Sequence, residues 1–177
     1  MRALGPGSVS SFLKVILDVF HFVLWVAVAG VIVAIFAVLL LSFRPELLAS
    51  QVTIEKLHIE GPWLGPVAAA TLLGIGLYLG GAIIIVGRLR RIFQTLIAGD
   101  PFHPDNVRRL RTIAGALAIL EVGRYAAAGL SRMVLEGRVH VGGGVSFTTW
   151  FAVLVIVVLA EIFREGARLR GEAELTI

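Results

Sequence analysis

From Val19 to Phe43 the chain reads "VFHFVLWVAVAGVIVAIFAVLLLSF", a run of 25 residues without one formally charged side chain. At about 1.5 Å per residue a helix of this length crosses a hydrocarbon core of roughly 30 Å with some length to spare. Arg2 and Lys14 precede it, as they would in a signal peptide. The run exceeds the roughly 7–15 apolar residues of such a peptide's core, and no small-residue cleavage site follows, so it is expected to stay as a first span.

Three more runs follow. Leu64 to Gly87 contains Gly76-x-x-x-Gly80 with Gly81 beside it, a small-residue face that lets another helix approach closely. Ile113 to Leu135 is interrupted by Glu121 and Arg124. Phe147 to Phe163 is β-branched from Trp150 to Ala160, which suits a strand in water, but beside three other spans it reads as a transmembrane helix. Four spans leave little room for a soluble domain, and the composition agrees: 58% of residues are hydrophobic and 16% charged, far from the soluble range of about 45–50% and about 25%. With no cysteine there is no disulfide framework, thiol nucleophile or thiolate metal site.

Counting basic residues around the spans orients the chain. The segment before the first span, residues 88–112 and residues 164–177 carry eleven; the other two connections carry four, Arg44, Lys56, Arg132 and Arg138. The positive-inside rule then puts both termini and the central loop in the cytoplasm. The fold expected is an all-α integral membrane protein of four helices in a single domain, N-in and C-in, with spans at about 19–43, 64–87, 113–135 and 147–163. Its expected location is a membrane that it crosses four times. On the outer side, 51–61 and 138–147 have strand character, the second with Gly142 to Gly144 placed as a hairpin loop, so short extracytoplasmic strands or a flexible loop are both open.

The central segment, "RLRRIFQTLIAGDPFHPDNVRRLR", holds six of the fourteen arginines. Leu89, Ile92, Phe93, Leu96 and Ile97 repeat as one helical face, with Arg88, Arg90 and Arg91 filling the rest. This predicts an amphipathic cytoplasmic helix after the second span and directly continuous with it, either in the interface plane or packed beneath the bundle. Gly99 is a C-cap candidate, Asp100-Pro101 resists continuation, and Pro104 with Asp105 suits the start of the next helix. Phe102 is placed as an apolar anchor. Asp100, His103 and Asp105 lack a recognised metal-ligand spacing, and the segment is too short and too apolar on one face for direct nucleic-acid binding. Anionic headgroups explain the arginines more simply.

Ionisable residues inside the spans form a second group. Glu121 and Arg124 are three apart, able to pair on one face, at a cost of roughly 2.5–3.5 kcal/mol per charge at mid-bilayer. His21 enters the first span from the same side and Glu161 leaves the fourth toward it, so the four define a candidate intramembrane polar cluster. An internal salt bridge, a proton or ion relay and a polar ligand pocket all remain open. No nucleophile or metal cluster accompanies them, and neither enzymatic chemistry nor a cofactor is expected. In the tail, Glu161, Arg164, Glu165 and Arg168 pair at helical spacing, so the fourth helix should run on past the membrane.

Two quoted segments, "LRRIFQTLIAGDPFHPDNVRRLRTIA" and "AEIFREGARLRGEAELTI", resemble a bacterial membrane family known as "domain of unknown function 2975". The likeness rests on a hydrophobic-basic helix, a Gly-x-Pro-Phe turn, Asn106 before an Arg/Leu run, and the terminal motif. It implies a four-span protein and, because genes of the family often neighbour a small helix-turn-helix regulator, a partner of that kind. The expected function is that of a non-enzymatic regulatory or interaction protein. Its cytoplasmic surface would comprise Arg88, Arg90, Arg91, Phe102, Asn106, Arg108, Arg109 and Arg111, facing headgroups or a protein. The alternative is a small transporter or channel-like oligomer with a polar intramembrane path.

Overall fold

The computed structural model describes residues 9–42, 64–134 and 144–174. Within them are four helices: α1 (Val9–Ser42), α2 (Leu64–Ile97), α3 (Pro104–Val134) and α4 (Phe147–Glu174). Each contains a stretch long and apolar enough to cross a membrane: Phe12–Leu40, Val67–Ile97, Pro104–Arg132 and Phe147–Ala173. The apolar side chains mostly face outward, including Phe20, Phe22, Trp25, Leu77 and Phe151. A water-soluble monomer does not carry so much contiguous apolar surface, whereas lipid tails cover it at no cost. In α3, the least apolar of the four, 22% of the spanning window is buried, against 6% in each of the others. Its polar residues are thus the ones most enclosed by protein.

The helix ends follow local chemistry. Pro66 lies in the first turn of α2, where its missing N–H costs nothing. At the other end Gly99 adopts φ +82°. There the Gly99 N–H donates to Leu96 O (3.1 Å) and the Asp100 N–H to Thr95 O (2.9 Å). This pair of bonds is a Schellman cap, and glycine supplies the left-handed residue it needs. Pro104 opens α3 as expected. Ser146 caps α4, its Oγ accepting from the Thr149 N–H at 3.3 Å.

The described residues cluster in two compact units. The first, which we call the turn unit, takes in Met1–Leu24, Gly81–Glu121 and Ser146–Ile177. Its core joins Ile92 of α2, Leu110 and Ile113 of α3 and Ala160 of α4, with Ile85, Leu89, Leu96, Leu117, Ile156 and Phe163 packed around them. These are one face of each helix: Ile85, Leu89, Ile92 and Leu96; Leu110, Ile113 and Leu117; Ile156, Ala160 and Phe163. The amphipathic stretch from Arg88 is continuous with the second span, as its sequence suggests. It forms the last turns of α2, and its apolar face is spent on α3 and α4, where a helix lying in the interface would have spent it on lipid. Gly81 lets Leu120 of α3 come close, for a Cβ there would stand 2.7 Å from both its methyl carbons.

In the second unit, Trp25–Gly80 and Val122–Val145, a Cβ at Gly76 would sit 3.6 Å from Val31, while one at Gly80 would meet nothing within 4 Å. Close packing thus falls to Gly81, and the Gly-x-x-x-Gly spacing is not used as a pair. Gly144 is joined to α3 by the Arg124 guanidinium, which donates to its carbonyl at 2.8 Å. The stretch 51–61 and residues 138–143, where strands were considered, lie outside the described residues; Phe147, at the end of the second stretch, is helical.

Candidate functional site

The connection between α2 and α3 is built around one side chain. Asn106, two residues into α3, has no solvent exposure. Its Nδ2 donates to Thr95 Oγ1 (2.7 Å) and to Pro101 O (3.0 Å), and its Oδ1 accepts from Arg109 at 2.8 Å. Thr95 Oγ1 in turn donates to Ile92 O at 2.7 Å, and Arg109 donates to Arg91 O at 3.1 Å. The end of α2, the turn and the first turn of α3 are closed on each other by this network. A buried amide is otherwise costly, and here both its donors and its acceptor are satisfied. Asn106 was expected on an interaction surface; it is instead the interior fastening of the turn.

His103 also has an internal task. Its Nδ1 accepts from the Asp105 N–H at 3.2 Å, and its carbonyl accepts from the Asn106 N–H at 2.9 Å, so it caps the N-terminus of α3. Asp105 is drawn to Arg109 at 3.6 Å. Asp100 pairs with Arg170. Asp100 and Asp105 thus each engage an arginine, and among the described residues no group of three His, Asp or Glu is arranged to hold a metal.

The tail helix completes the unit. The Phe102 ring lies 5.7 Å from that of Phe163, tilted by 51°. It also sits against Gly166, where a Cβ would come within 2.5 Å of two of its ring carbons. With the Asp100–Arg170 pair on the same helix, α4 is fastened to the turn by an aromatic contact and an ion pair. Glu161, expected in the intramembrane cluster, is exposed and bridged by Arg111 of α3 and by Arg164. It belongs with the tail's charge pairs, as does Glu165 with Arg168 at 2.5 Å.

On the α1 side, Arg90 Nε lies 2.5 Å from Asp18 Oδ1. His21 packs on Gly87, 3.8 Å from where a Cβ would stand. Glu121 is buried, at 6% exposure. In the second unit Arg124 lies over Tyr125, 5.0 Å from the ring centroid. Thr95, Gly166 and Arg170 were not singled out from the sequence, although all three stand within the two segments that carry the family resemblance.

The arginines of the turn unit fall into two groups by partner. Arg90, Arg109, Arg111, Arg164, Arg168 and Arg170 each face a carboxylate. Among the described residues, the turn unit's other three, Arg88, Arg91 and Arg108, face none. Together with Asp105, Arg109 and Thr112 these three line a depression of about 200 Å³. Arg88 and Arg91 also line a larger one of about 330 Å³, with His21, Ile83, Ile84, Gly87, Arg90 and Gln94.

Four apolar helices of spanning length, with charge confined to helix ends and a few enclosed positions, make this a multi-pass membrane protein. Residues 52–177 match the family described as "Protein of unknown function (DUF2975)", and the chain belongs to that family. The match takes in the turn, the tail and every helix after α1. No curated protein and no solved structure matches the chain.

Proposed function

We propose that this is a non-enzymatic protein of the bacterial inner membrane, with both termini and the turn unit's arginine-rich end in the cytoplasm, and that it works as a regulatory interaction partner through that end. The observation that carries the reading is the fastening of α4 to the turn through Phe102, Gly166 and the Asp100–Arg170 pair. Two segments distant in sequence become one preformed surface, and a preformed surface binds without an ordering cost. A cytoplasmic regulator of the helix-turn-helix kind is the partner class that the family resemblance implies. Crosslinking from Arg111 or Arg164 in native membranes, with the full chain and with residues 168–177 removed, tests this. A cytoplasmic protein captured by the first and lost from the second is expected; capture of none by either refutes the reading.

A transporter-like oligomer is the second reading, favoured by the burial of Glu121 within a spanning helix. If Glu121 and Arg124 line a path, changing both to Gln alters flux through reconstituted vesicles. An unchanged flux with altered stability leaves them a structural role.

A further inference from the structure

Six arginines of the turn unit face carboxylates within the protein. Among the described residues Arg88, Arg91 and Arg108 face none, and they share one place. Arg88 and Arg91 are one turn apart on α2 and line both depressions, with Arg108 and Thr112 across from them on α3. Arg91 and Arg108 are exposed and Arg88 half-buried. Like charges gathered without a counter-ion repel one another, and the neighbouring Asp105 is already drawn to Arg109. Such a cluster is suited to an anion with several acceptor oxygens, which guanidinium forks and a hydroxyl donor recognise.

The second depression indicates what the anion is attached to. On the side toward α1 the arginines give way to Ile83 and Ile84, and Ile84 is 48% exposed on a helix segment of membrane-spanning composition. One ligand satisfying both halves has a phosphate at one end and an acyl chain at the other. We propose that Arg88, Arg91 and Arg108, with Thr112, form a binding site for the phosphate of an anionic glycerophospholipid, whose chain lies along Ile83 and Ile84. This sharpens the functional reading above and rests on it only for the leaflet: the lipid is drawn from the cytoplasmic one.

The test uses the full chain in detergent and in nanodiscs. Binding of phosphatidylglycerol and of phosphatidylcholine is measured by native mass spectrometry for the parent, for Arg88→Gln/Arg91→Gln/Arg108→Gln, and for Arg111→Gln/Arg164→Gln/Arg168→Gln as a control of equal charge change. A basic residue near an anionic surface contributes about five-fold in affinity, so the first triple variant is expected to lose on the order of a hundred-fold of its preference for phosphatidylglycerol. The control is expected to keep it. Equal loss in both triples, or retention in the first, overturns the site. Inorganic phosphate alone forms the third arm. If it binds with the same arginine dependence while lipid composition has no effect, the ligand is a soluble phosphate and the lipid assignment is overturned. Orientation is read separately, by membrane-impermeant labelling of Gln94→Cys in a chain that has no other cysteine. Labelling from the outer side alone would overturn the leaflet and the functional reading while leaving the lipid measurement intact.

Discussion

Replacing Asn106 by Ala removes three hydrogen bonds at a site with no solvent exposure. At a net value of about 1 kcal/mol each, the loss is about 3 kcal/mol. Scaled as for a soluble protein of this length, at about 2–4 °C per kcal/mol, the midpoint of thermal unfolding should fall by roughly 6–12 °C. Thr95→Val keeps the shape of its side chain and removes two bonds, the one it accepts from Asn106 and the one it donates to Ile92 O, at a cost of about 2 kcal/mol. The network makes a sharper statement about the double variant. The Asn106–Thr95 bond can be lost only once, so the two changes together should cost about 4 kcal/mol, short of their sum by about 1 kcal/mol. Reversible unfolding in detergent, followed by the fluorescence of the three tryptophans, measures all four proteins. Additivity within about 0.3–0.5 kcal/mol would refute the network as described, as would an Asn106→Ala cost below about 1 kcal/mol.

Other expectations follow from the packing and the caps. Gly166→Ala drives a methyl into the Phe102 ring and should cost about 1–3 kcal/mol, and Phe102→Ala in the same chain should recover part of that loss if the clash is the cause. Gly81→Val should destabilise because Leu120 closes on it, whereas Gly80→Ala, with open space around it, should be neutral or gain up to about 1 kcal/mol from helix propensity; thermal scans in nanodiscs rank the two. His103→Ala should cost about 1 kcal/mol through loss of the α3 cap, with His103→Asn restoring most of it, as read by hydrogen exchange at the Asp105 amide. Asp18→Asn removes the partner of Arg90 and should lower stability by no more than about 1 kcal/mol, since both side chains are part-exposed; a drop that disappears in high salt identifies the ion pair as its source.

The class of protein and much of its punctuation are legible along the chain. Long uncharged runs admit only helices across a bilayer, because no other unbranched arrangement satisfies every backbone group inside the segment. Gly99, Pro104 and Asp105 announced the turn through constraints that act within a few residues. The period of Leu89, Ile92 and Leu96 marked an apolar face but could not name its partner, since lipid and a neighbouring helix look alike to an apolar side chain. It takes the packed helices to show that this face meets α3 and α4, that Asn106 turns inward, and that Glu161 pairs with Arg111. The same holds for the arginines. Their number and spacing can be read along the chain, but whether each meets a carboxylate depends on residues as distant as Asp100 and Arg170, 70 positions apart. That long-range pairing is what leaves Arg88, Arg91 and Arg108 with charge to offer, and a count of charges along the chain does not contain it.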